Sequence, residues 1–131
     1  MVHFIKALKE AESYDGPSLI IAYAPCINHG IKGGLFNAQK EAKLATECGY
    51  WPIFRYDPRL EAEGKNPLQM DCKEPDWSKY NDFLMNETRY SQLTKVNPKE
   101  AEALLKANLE DAKHRWEMYQ RYLKMDYTKA E

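Results

Sequence analysis

Residues able to carry chemistry cluster early in the chain: Cys26, Asn28 and His29, followed by glycines at 30, 33 and 34. A cysteine thiolate is a soft ligand for a metal or an iron–sulfur cluster, and beside a base it is a nucleophile. The second role asks His29 to fold back from three residues away to reach the sulfur, which makes it the weaker functional reading. Against both stands the plain one, because free cysteine behaves most often as a small buried hydrophobe. The glycines run Gly-x-x-Gly-Gly. They lack the Lys-Ser/Thr pair of a phosphate loop and the order of a dinucleotide fingerprint, so their expected task is to supply positive φ angles.

The remaining candidates are weaker. Cys48 ends a helix beside Gly49, and Cys72 lies between Asp71 and Lys73. Neither has a local partner, and both read as structural. His3 and His114 sit among charged residues and are expected to face solvent; Asp57 and Glu61 read as solvated loop carboxylates. Three cysteines, none in a Cys-x-x-Cys pair, give neither a disulfide framework nor a locally complete metal site. A reducing, cytoplasmic setting is the expectation.

The elements that must position Cys26 follow from hydrophobic patterning. Leu19, Ile20, Ile21, Ala22 and Tyr23 form an apolar run without alternation, which predicts a buried parallel strand over 18–24, stopped by Pro25. Before it, Phe4, Ile5, Leu8 and Ala11 recur at helical spacing, with Lys6, Lys9 and Glu10 on the other face, and Asp15-Gly16-Pro17 is the stop. After the loop, a helix over 34–47 carries the small face Leu35, Ala38, Ala42 and Ala45, and Gly49 ends it. Tyr50 to Tyr56 predicts a second strand, parallel to the first across a right-handed crossover. Residues 60–64 read as a surface turn, and 67–71 as a short strand antiparallel to the second. Asp76 is a candidate N-cap, residues 89–95 read as joining helical turns, and Asn97-Pro98 opens a long helix to about Met125. Its stripe is Ala101, Leu105, Ala112, Trp116, Tyr119 and Leu123. The expected fold class is thus α/β: a small parallel sheet layer with a crossover helix, followed by a C-terminal helical tail. Residues 1–75 would form the α/β portion and 76–131 the helical extension packed on it.

At 131 residues the chain can enclose one modest core. A net charge of −1 gives no global attraction for nucleic acid or an anionic membrane. No apolar stretch approaches the roughly 20 residues that span a bilayer. The acidic residues near the N-terminus do not suit a signal peptide.

Longer strings carry a more specific signal. Pro17-Ser-Leu-Ile-Ile-Ala-Tyr-Ala-Pro-Cys26-Ile-Asn-His29-Gly resembles the C-terminal region of the pyruvate:ferredoxin (flavodoxin) oxidoreductases. So do Glu41-Ala-Lys-Leu-Ala-Thr-Glu-Cys-Gly-Tyr-Trp-Pro, Phe54-Arg-Tyr-Asp-Pro, Gly64-Lys-Asn-Pro-Leu-Gln-Met-Asp-Cys-Lys-Glu-Pro-Asp and Phe83-Leu-Met-Asn-Glu-Thr-Arg-Tyr. The resemblance covers nearly the whole chain, in order. It implies oxidative decarboxylation of pyruvate with coenzyme A to acetyl-CoA, using thiamine diphosphate, Mg2+ and 4Fe–4S clusters, with ferredoxin or flavodoxin as acceptor. It also implies a homodimeric parent enzyme, with the remainder of the parent polypeptide as this chain's partner. By that resemblance Cys26 is a cofactor-binding residue, one thiolate ligand of a 4Fe–4S cluster in the intact enzyme. The Gly-Asp-Gly stretch that binds magnesium and the diphosphate is absent, as are the other cluster cysteines. The chain therefore resembles about the last tenth of a family chain, starting inside the thiamine-diphosphate-binding domain. Alone it is expected to hold no cofactor and to be inactive. The alternative is a stand-alone α/β interaction module that kept the scaffold without the chemistry.

Overall fold

The computed structural model describes residues 2–128. Helix α1 spans Val2–Ser13 and ends at Asp15-Gly16-Pro17 as the stop residues require. Its stripe His3, Ala7, Glu10, Ala11 and Tyr14 is the partly enclosed one, while Phe4, Ile5 and Leu8 stand about half exposed. The apolar face of α1 is therefore turned away from the rest of the chain, and its Glu10 is turned toward it.

The strand expected over 18–24 does not form. Residues 17–26 run as irregular chain, with Leu19 84% and Ile21 70% exposed. A strand is defined by its ladder, and among the described residues none lies alongside this run to supply one. The expected parallel pair is corrected with it. The run from Tyr50 becomes strand only as β1 (Phe54–Tyr56), which pairs antiparallel with β2 (Leu68–Met70). The register is Phe54 to Met70, Arg55 to Gln69 and Tyr56 to Leu68. The strand near 67–71 and its antiparallel sense are as the sequence predicts. The connection between them is short and holds the one-turn helix α3 (Arg59–Ala62), a length that suits an antiparallel pair and not a crossover.

The rest is helical. A 3-10 turn at Leu35–Asn37 leads into α2 (Ala38–Glu47), which Gly49 ends at φ 83°. Asp76 accepts from the Ser78 amide and opens a 3-10 turn that runs into α4 (Tyr80–Asn86). Single-turn helices α5 (Thr88–Ser91) and α6 (Leu93–Val96) lead to α7 (Pro98–Tyr122), whose Asn97 cap accepts from the Glu100 amide.

The core forms where α2, α4 and α7 meet: Ala45, Cys48, Tyr80, Phe83, Leu84 and Ala112 are all buried. At seven residues, α4 is too short to hold itself as a helix. Burying Phe83 and Leu84 contributes about 2 kcal/mol each, enough to fix it by packing. Of the small face expected on α2, Ala45 is fully enclosed, and it packs against α4 instead of a sheet. Among the described residues the fold is thus mostly helical, with one two-stranded antiparallel sheet and a long last helix.

Candidate functional site

Pro25 and Cys26 end the irregular run, and Cys26 is extended at φ −97°, ψ 135°. One 3-10 turn, Ile27–His29, comes next, and Gly30 leaves it at φ 63°. The chain then docks on the junction between α4 and α5. The Lys32 amide donates to the Asn86 carbonyl at 2.8 Å, and the Thr88 amide donates to the Gly30 carbonyl at 3.3 Å. Between them Ile31 and Glu87 form an isolated antiparallel bridge. A Cβ at Gly30 would stand 2.8 Å from Thr88 Oγ1, so this glycine is needed for space as well as for its φ. Gly33 and Gly34 also take positive φ, in line with the sequence reading.

Cys26 is exposed at the free end of this docked loop. The His29 side chain lies outside the described part of the structure, and with it the pairing of His29 with the sulfur. The other cysteines are in different places. Cys48 is fully buried, its Sγ donating weakly to the Ala45 carbonyl, and burial pushes its thiol up to about 11. Cys72 accepts a bond from the Ile53 amide at 3.4 Å, and partial burial raises its thiol as well. Both sulfurs are thus engaged by packing or a hydrogen bond within the chain. His3 is not merely solvent-facing as expected: its Nδ1 lies 3.2 Å from Asp71. His114 is exposed, and Asp57 pairs with Arg59 at the surface.

A polar network that sequence reasoning missed lies behind the loop. Tyr23 donates to Glu87 Oε1 at 2.6 Å, and Glu87 Oε2 pairs with Arg89 at 2.7 Å. Arg89 also donates to the Tyr50 hydroxyl at 3.1 Å, which shares a 2.8 Å hydrogen bond with that of Tyr90. Burial, reinforced by the Glu87 carboxylate, holds the Tyr23 hydroxyl firmly protonated. Asn86 donates to Glu41 Oε2 at 3.2 Å, and both Glu41 and Glu87 are 3% exposed. A signal for Glu41 was present in the sequence. It stands four and seven residues before Ala45 and Cys48, on the buried face of α2.

A cleft of about 900 Å³ separates α1 and residues 17–21 from the hairpin and α7. Its central cation, Arg55, is saturated by Glu10, Gln69 and Asp71, which leaves it no free donor for a ligand. Among the described residues no three His, Cys, Asp or Glu side chains come together as a metal site. The donor set nonetheless suits one soft ligand. Cys26 offers an accessible sulfur on an anchored loop, whereas Cys48 is buried and Cys72 is partly buried and bonded to the Ile53 amide. An iron–sulfur cluster would draw one thiolate from this chain and the others from elsewhere.

No protein-family model matches the chain. Individual relatives do. It is 56% identical over 117 residues, 89% of its length, to a pyruvate:ferredoxin oxidoreductase of Moorella thermoacetica. To a pyruvate-flavodoxin oxidoreductase of Klebsiella pneumoniae it is 50% identical over the same length. The chain is homologous to a segment of these oxidoreductases. It covers 10% of each of those two enzymes. Over 130 residues it is also 45% identical to a mitochondrial NADP+ pyruvate dehydrogenase of Euglena gracilis, of which it covers 7%. Among the described residues no helix is long and apolar enough to cross a membrane.

Proposed function

We propose that this chain is the C-terminal segment of a pyruvate:ferredoxin (flavodoxin) oxidoreductase, and that Cys26 gives one thiolate to a 4Fe–4S cluster of the intact enzyme. The observation that carries the reading is 56% and 50% identity over nine-tenths of the chain to two such enzymes. The exposed sulfur on a loop tied down at residues 30–32 supports it, because a cluster ligand must be both accessible and fixed. In this reading residues 1–75 belong to the thiamine-diphosphate-binding domain and 76–131 extend it. The exposed run at Leu19–Ile21 is then covered by the remainder of the parent polypeptide, in a homodimer that works in the cytoplasm. In the intact enzyme thiamine diphosphate with Mg2+ supplies the electron sink for decarboxylation, and the clusters supply one-electron transfer toward ferredoxin or flavodoxin. This chain's part is to hold one ligand and shape the loop around it. On its own it is inactive.

The test replaces each cysteine in the intact enzyme. Cys26→Ala loses or destabilises one cluster, read as reduced iron content and a lost signal in low-temperature electron paramagnetic resonance. Cys48→Ala and Cys72→Ala keep their iron. A full complement of clusters in Cys26→Ala returns that residue to a plain small side chain.

A further inference from the structure

Glu41 and Glu87 share the interior behind the Cys26 loop but are compensated unequally. Glu87 has the Arg89 guanidinium and the Tyr23 hydroxyl. Among the described residues Glu41 has a single neutral donor, Asn86, and its Oε1 is buried without a partner. That same Asn86 takes the Lys32 amide on its carbonyl, and the next two residues hold Ile31 and Gly30. One side chain therefore lies between Glu41 and the anchor of the loop.

We infer that Glu41 is a positioning residue for the Cys26 loop: as a neutral acid it lets Asn86–Thr88 close on residues 30–32, and as a carboxylate it opens that contact. The inference concerns the loop of this chain; its bearing on electron transfer rests on the reading of Cys26 as a cluster ligand.

The physical argument is one of solvation. A neutral carboxyl leaves one uncharged polar group without a partner in the closed interior. A carboxylate leaves a full charge there, and burying charge costs far more than burying a hydroxyl. Burial accordingly raises the affinity of Glu41 for its proton, and the Glu87 charge adds to this, against an opposing contribution from Asn86. Among the described residues no cation offsets the charge. On α2, Lys40 and Lys43 are exposed, and Lys43 pairs with Glu47. Lys32 on the loop is exposed, and Arg89 is engaged by Glu87 and Tyr50. Tyr23 is spent on Glu87, and Cys48, deeper along α2, is a protonated thiol. When Glu41 ionises, solvation requires the α2–Asn86 contact to part, and the Lys32 end of the loop parts with it.

Amide hydrogen exchange reads this directly, because the Lys32 and Thr88 amides are the two bonds that close the loop. After correction for intrinsic exchange, their protection should fall about tenfold per pH unit once the open-state carboxyl is ionised and while the closed state keeps its proton. In Glu41→Gln, which keeps the acceptor for Asn86 and cannot ionise, protection should be flat with pH. Amides at the middle of α7 should behave alike in both proteins. An equal slope in Glu41→Gln, or no slope in the unsubstituted chain, overturns the proposal. A second measurement needs no variant: carbon-13 titration of the Glu41 carboxyl should show a midpoint above the ordinary carboxylate range, where the exchange slope ends. A midpoint within the ordinary range overturns it too. Neither readout involves iron, so failure here is separate from failure of the cluster-ligand reading.

Discussion

Arg55 donates from one terminal nitrogen to both carboxylate oxygens of Glu10, at 2.5 and 2.6 Å, across 45 residues of sequence. The same guanidinium grips Asp71 and Gln69, and its side chain is only 9% exposed. Together with the contacts of His3 and Arg59, this clamp fastens a helix whose apolar side faces outward.

The clamp sets an acid dependence. Hydrogen bonding from Arg55 holds the Asp71 carboxyl below its usual range. A depressed carboxylate adds stability that is fully present above the unfolded value, about 3.9, and is lost as pH falls through the folded one. Exchange protection of the α1 amides should therefore collapse in acid before that of α7. Arg55→Met should show the loss already at neutral pH. It takes the guanidinium from both carboxylates and leaves Asp71 only His3, at a cost of about 3 kcal/mol. Unchanged α1 protection in Arg55→Met would mean that other contacts hold this helix.

The three thiols should separate by reactivity. At neutral pH an alkylating reagent should label Cys26 first, because it is exposed, and Cys72 slowly, because its sulfur is partly buried and bonded to the Ile53 amide. Cys48 should react only when the chain unfolds, given full burial and a thiol pushed up to about 11. Peptide mass spectrometry over a time course gives the order. Early labelling of Cys48 would place the α2–α4–α7 core elsewhere.

Gly49 closes α2 at φ 83°, and a Cβ there would stand 2.8 Å from both Pro75 and the Trp77 ring. Both strain and overlap oppose any side chain, so Gly49→Ala should destabilise the chain by about 2 kcal/mol. Urea unfolding measures it. A neutral result would show that the Pro75–Trp77 segment shifts freely.

Local signals were legible because they need only neighbours in sequence. The Asn97-Pro98 start, the Asp76 cap, the positive φ at the loop glycines and the short second strand of the hairpin all appear where the residues place them. The place of Cys26 in its loop was legible in the same way. Cys26 follows a Pro and precedes a glycine-rich loop, and the structure leaves it exposed. The buried Glu41–Asn86–Glu87 group was not read, since a charged residue in a helix looks solvated until its face is known to be inside.

By itself the sequence determined the helix caps at Asp76 and Asn97, the stop at Gly49, which glycines bend the chain, and the place of Cys26 in its loop. These are settled by capping bonds and backbone sterics within a few residues. Tertiary structure alone decided the rest. Leu19–Tyr23 has every preference for a strand, yet a strand exists only against a neighbour, and none of the described residues provides one. The sense of the one sheet was likewise fixed by Phe54–Tyr56 finding Leu68–Met70 across a short connection, and the setting of α1 by Glu10 reaching Arg55. Pairing energies between distant residues depend on geometry that no local pattern contains.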